Sequence, residues 1–98
     1  MAGEGVYAVV WPRGRRLAER ARLAPRLDTL AGKTVYLVDC RFDDSDVFLR
    51  QVQAWFAEHM PAVKTVIKPL STVYTKDDPA TWEAIRTRGH AAVVGVGH

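Results

Sequence analysis

Asp39 and Cys40 stand side by side at the end of one apolar run, and Gly95-Val96-Gly97-His98 closes another. In this 98-residue chain these are the places where residue types that do chemistry coincide with positions able to present them. A thiol becomes a nucleophile and redox centre once ionised, and it ionises most readily beside a cation or the N-terminus of a helix. Cys40 is therefore either a nucleophile or resolving thiol, or a small buried apolar side chain, the commoner fate of a lone cysteine. Asp39 can orient a histidine, bind a cation or cap the loop after its strand. Gly95 and Gly97 make a G-x-G turn that lets backbone approach a phosphate. No third glycine follows to open a helix, so the turn is weak support for a dinucleotide and the cofactor stays undefined.

Other polar clusters have simpler accounts. Asp43, Asp44 and Asp46 resemble a metal cluster only superficially, because carboxylates in this pattern cap a helix and favour the positive end of its dipole. Three histidines and one cysteine show no metal-ligand spacing, and no structural zinc is expected. His59 is expected to be packed or helix-terminal, and His90 exposed.

One cysteine cannot form an internal disulfide, and the start lacks the stages of a secretion signal. No apolar run approaches the ~20 residues that span a bilayer. A soluble, cytoplasmic protein is expected. The formal charge of +3 is uneven, since residues 1–26 carry six arginines against Glu4 and Glu19, while the remainder carries eight basic and nine acidic residues. This divides the chain into a basic N-terminal arm, 1–26, and an α/β part, 27–98. An arginine arm suits nucleic acid phosphates or an acidic protein. Nucleic acid is disfavoured, because no aromatic and basic interleaving accompanies the arginines.

The elements that must position these residues follow from periodicity. Gly5 to Trp11 reads as a short strand or an extended apolar segment stopped by Pro12 and Gly14, and Arg15 to Ala24 as a short basic helix ended by Pro25. Thr34 to Val38 (TVYLV) is apolar on both faces, as in a buried parallel sheet. A helix is predicted from the Asp43–Asp46 cluster to Pro61, with Phe48, Val52, Trp55, Phe56 and His59 as its buried stripe. Val63 to Lys68 is a second strand, and Leu70 to Asp78 a polar connection. Pro79 starts a second helix capped by Asp78, with Trp82, Ile85 and Arg86 inward and Gly89 in the left-handed position after its end. Ala91 to Val96 is the last strand. Trp55 and Trp82 are expected to cover the sheet, and Trp11 to meet a partner.

Strand, helix, strand, helix, strand is the order of a parallel sheet, here a three-layer Rossmann-like β-α-β-α-β unit. Ligands of such sheets lie beyond the carboxyl ends of the strands: Asp39–Arg41, Lys68–Leu70 and Gly95–His98. The chain ends at one of those edges. It is read as incomplete, its sheet completed by a partner chain.

Leu23 to Asp39 (LAPRLDTLAGKTVYLVD), followed later by Ala91 to Gly97 (AAVVGVG), resembles the front half of the UGSC-type selenoproteins and their cysteine homologues. In that family an L-x-G-K segment leads into a strand ending in Asp, and a G-x-G turn is followed almost at once by a U/C-G-S-C motif. Lys33 and Asp39 match the start and end of the first strand, and Gly95 and Gly97 match the turn. His98 would directly precede the reactive selenol or thiol. Cys40 stands where family members often have Asn, and the reactive motif is not in this sequence.

The resemblance implies thiol or selenol chemistry and nothing narrower. It makes Asp39, Cys40 and His98 the catalytic candidates, with Gly95 and Gly97 beside any cofactor. The function expected is that of a small subunit of a two-chain cysteine- or selenocysteine-dependent enzyme, inactive alone. Three origins fit the missing motif: a UGA codon read as a stop, a natural split between two polypeptides, or a relative that has lost the chemistry. The contrasting expectation is a noncatalytic binding or regulatory module that docks through its arginine arm.

Overall fold

The computed structural model describes residues 22–97. Most of the basic arm, including the expected strand Gly5–Trp11 and Trp11 itself, lies outside the described residues, as does His98. Residues 22–24, the expected end of the basic helix, are irregular and exposed. Five elements then follow in the predicted order: β1 (Thr34–Asp39), α1 (Ser45–His59), β2 (Lys64–Pro69), α2 (Pro79–Arg88) and β3 (Ala91–Gly95).

The three strands form one all-parallel sheet in the order β2-β1-β3. Leu37 pairs with Ile67 on one side and Val93 on the other, and Asp39 with Pro69 and Gly95. The central place of β1 accounts for its unbroken apolar run, since Val35, Tyr36, Leu37 and Val38 are all buried. Side chains of a strand alternate between faces. Val35 and Leu37 accordingly join Leu49 and Val63 in one cluster, with Val52 and Phe56 of α1 packed against it. Tyr36 and Val38 join Leu70 in a second cluster, with Cys40, Val66 and Ile85 of α2.

The phase of α1 differs from the predicted stripe. Leu49 is the buried anchor at 0% exposure, whereas Phe48 is 55% and Trp55 49% exposed. Val47, Phe48 and Leu49 are consecutive apolar residues, so two rotations of the helix each present an apolar stripe. The rotation adopted buries a leucine, which has no polar atom to satisfy, and leaves Trp55 stacked on the His59 ring at 4.7 Å. Trp82 is likewise 40% exposed, with its indole N–H donating to Asp77 Oδ1 at 3.1 Å. Neither tryptophan is the sheet-covering core residue that was expected. Arg86, expected inward, instead pairs with Glu83 at the surface.

Two end signals are also corrected. Gly89 is extended (φ −109°, ψ 165°), not left-handed. It is glycine because a Cβ there would lie 2.7 Å from Tyr36 Cδ1 and 2.9 Å from the Ile85 carbonyl oxygen. Asp44, at the N-cap of α1, is itself left-handed (φ 60°) and its side chain makes no capping bond. Asp46, in the first turn, pairs with exposed Arg50 at 3.2 Å. By contrast Asp78 caps α2 as expected, accepting from Thr81, with Pro79 in the first turn.

Candidate functional site

The chain runs from β1 outward to β2, then back across to β3 on the other flank. The gap between the carboxyl ends of β1 and β3 is therefore a topological switch point, where open α/β sheets place their ligands. Asp39, the last residue of β1, lies there and is 5% exposed. Its Oδ1 accepts from Ser45 Oγ at 2.6 Å and from the Arg41 amide at 2.7 Å. Ser45, 1% exposed at the start of α1, accepts in turn from the Val96 amide at 3.1 Å. The Gly95 carbonyl accepts from the Cys40 amide at 2.9 Å. One carboxylate and one hydroxyl thus tie the end of β1, the start of α1 and the end of β3 together. Asp39 Oδ2 takes no hydrogen bond from the described residues, yet none of their buried side-chain polar atoms is left unsatisfied, so Oδ2 retains access to solvent.

The other neighbours of β1 diverge. Asp39 belongs to the face that α1 covers, while Cys40 packs with the opposite cluster, so the structure does not bring carboxylate and thiol side chains together. Part-buried Cys40 borders an open hollow of about 280 Å³ with Arg41, Phe42, Thr72, Val73 and Tyr74. Arg41 has φ 67°, which turns its amide back onto Asp39, and its guanidinium donates to the Leu70 carbonyl at 3.2 Å. A second hollow of about 280 Å³ on the α1 side is bordered by Asp43, Asp44, Phe48 and Val96.

Of the residues singled out in the sequence, Asp39 and Gly95 meet through Ser45, and Cys40 joins them by its backbone only. Gly97 is exposed with no atom within 4 Å of where a Cβ would be, and Gly95 would bring its Cβ only to 3.9 Å from Leu49 Cδ2. Neither glycine is required by crowding within the described residues. His59 Nδ1 donates to the Trp55 carbonyl oxygen (3.1 Å) near the end of α1, and exposed His90 accepts from the Thr34 amide at 3.0 Å. Ser45 was missed, and Arg41 entered only as the last residue of the Asp39–Arg41 strand end, with no role of its own. Ser45 sits within the run Asp43-Asp44-Ser45-Asp46 and looked like one more capping residue.

Asp78 is the most strongly perturbed acid among the described residues. Hydrogen bonds from the Ser71 hydroxyl (2.6 Å) and amide (2.7 Å) and from the Thr81 hydroxyl (2.8 Å) lower its pKa from 3.8 to about 2. Every bond stays between the β2–α2 loop and the first turn of α2, which makes it a structural clasp. Among the described residues no three His, Cys, Asp or Glu side chains converge as a metal site, and no helix is long and apolar enough to cross a membrane.

A parallel three-stranded sheet with a buried carboxylate–hydroxyl pair between two strand ends defines a small α/β protein whose candidate site is at the carboxyl edge. The sequence model of the UGSC family matches residues 8–98, and the chain belongs to the UGSC family. Comparison with curated proteins and with solved structures gives no match.

Proposed function

We propose that this chain is the small subunit of a heteromeric cysteine- or selenocysteine-dependent enzyme, inactive alone. It supplies the strand-end side of a shared active site to a partner that carries the reactive thiol or selenol of the U/C-G-S-C motif. The observation that carries this reading is the Asp39–Ser45 pair at the β1/β3 switch point, next to an open sheet edge. β3 pairs only with β1 among the described strands, and its Val93 and Val94 are 44% and 59% exposed. An apolar edge strand is a template for a further strand from another polypeptide. Added strands there would extend the sheet toward a complete Rossmann-like arrangement.

On this reading Asp39 is a positioning residue. Its Oδ1 fixes the loop and the start of α1, and Oδ2 is left to accept from a group delivered beside Gly95, Gly97 and His98. A nearby imidazole held by a carboxylate favours the ionised form of a thiol or selenol, which is the reactive form. Cys40 contributes its amide to Gly95, while its thiol faces the other flank. No cofactor is specified.

The test is co-expression with a polypeptide that carries a U/C-G-S-C motif, with the tag on this chain alone. A stoichiometric complex, lost on Val94→Lys, supports the subunit reading, and alkylation of the partner's cysteine should slow in Asp39→Asn complexes. A stable monomer that captures no such product refutes it and leaves the arginine-arm binding module as the better account.

A further inference from the structure

We propose that the hollow between the ends of β1 and β2 is a binding site for a small apolar carboxylate, a site separate from the β1/β3 edge and independent of any thiol or selenol chemistry there. The walls contributed by Phe42, Val73, Tyr74 and Cys40 are apolar or weakly polar, and the Phe42 and Tyr74 rings meet at 5.0 Å with a tilt of 51°. A volume of about 280 Å³ is near the lower end for small-molecule sites and admits a ligand the size of a substituted benzene ring. Arg41 supplies the only formal charge among the described residues of this lining.

That charge has no internal counter-ion among the described residues. The side-chain ion pairs found there are Asp46–Arg50 and Glu83–Arg86, both elsewhere on the surface. Asp39 is turned to the α1 side by Ser45, and Asp43 and Asp44 border the other hollow. Arg41 is also held in place, its amide on Asp39 Oδ1 and its guanidinium on the Leu70 carbonyl. Because a single bond to Leu70 occupies one of the guanidinium's donors, the rest remain for a carboxylate, which accepts from arginine in a bidentate fork. A cation fixed beforehand over apolar walls selects an anion with a hydrophobic body, since little ordering remains to be done on binding. Thr72 also lines the hollow on the β2 side.

The probe is benzoate, titrated into the ¹⁵N-labelled full chain, or into its complex where one forms, with benzamide as the neutral isostere. Saturable shifts confined to the amides of residues 40–42 and 72–74, absent with benzamide, are expected. Arg41→Asn removes the cation while keeping a residue that tolerates positive φ, and it should weaken benzoate about 10- to 100-fold, the value of a charge-assisted hydrogen bond. Val73→Glu, at a position already 56% exposed, should weaken it similarly by repulsion without disturbing the core. Retained spectral dispersion in either variant separates lost binding from lost folding. Equal response to benzoate and benzamide, shifts mapping elsewhere, no saturation, or wild-type affinity in a folded variant would each overturn the proposal.

Discussion

Ser45→Ala isolates the hydroxyl that holds the switch-point site together. The side chain is 1% exposed and donates at 2.6 Å to a carboxylate that is itself 5% exposed. Removing it leaves Asp39 Oδ1 with the Arg41 amide alone and the Val96 amide without its acceptor. A hydrogen bond to a charged group is worth about 1.5–3 kcal/mol. Val96 is 37% exposed, so water replaces its lost partner at little cost. The sum is about 2–3 kcal/mol, or roughly 10–20 °C in Tm for a domain of this size. Urea and thermal unfolding followed by far-UV circular dichroism measure it directly. Asp39→Asn removes the charge but keeps an acceptor, so the double variant should cost less than the two single variants together by about 1 kcal/mol or more. A cost below about 0.5 kcal/mol for Ser45→Ala, or strict additivity in the cycle, would mean that the pair is not a stabilising link and would refute the geometry assigned to the site.

Three further outcomes test the rest of the fold. Leu49→Ala should cost about 3–5 kcal/mol in urea unfolding, whereas Phe48→Ala and Trp55→Ala should each cost about 1 kcal/mol or less; the reverse order would restore the sequence-predicted phase of α1. Gly89→Ala should destabilise by about 1–3 kcal/mol because its Cβ meets the Tyr36 ring and a backbone oxygen, while Gly95→Ala, with ordinary contact at 3.9 Å, should be close to neutral. Asp78, whose folded pKa is depressed, contributes stability that is fully present above its ordinary value of 3.8 and is lost as pH falls toward about 2. Thermal melts across that window should therefore show a steeper acid loss in the wild type than in Asp78→Asn.

The succession of elements was legible because breakers punctuate it. Pro61 closes the first helix, Pro69 the second strand, and Pro79 opens the second helix, each with a local steric reason that does not depend on the rest of the chain. The faces were not legible. Along α1 the consecutive apolar residues Val47, Phe48 and Leu49 satisfy more than one helical phase, and only contact with Leu37 and Val63 selects among them. Gly89 carried a true signal attached to the wrong cause, since a glycine after a helix looks the same whether it is there for positive φ or for the approach of a ring. Strand order was equally hidden, because nothing local to β3 says that it pairs with β1 on the flank away from β2.

The same alternation explains why adjacency misled the site assignment. Asp39 and Cys40 are neighbours in sequence and both polar at a strand end, which invites one shared site. Neighbours on a strand point to opposite faces, so each finds its partners elsewhere. Asp39 finds Ser45, six residues on, and through it Val96; Cys40 finds the β2 side, where Thr72, Val73 and Tyr74 close a hollow around it. Arg41 links the two, because its left-handed backbone lets one residue bond Asp39 through its amide and the β2 end through its guanidinium. A central strand flanked on both sides thus presents two environments at one end, an anionic, hydrogen-bonded one toward β3 and a cationic, aromatic one toward β2. Chemistry that needs a held carboxylate belongs to the first, and recognition of an apolar anion belongs to the second.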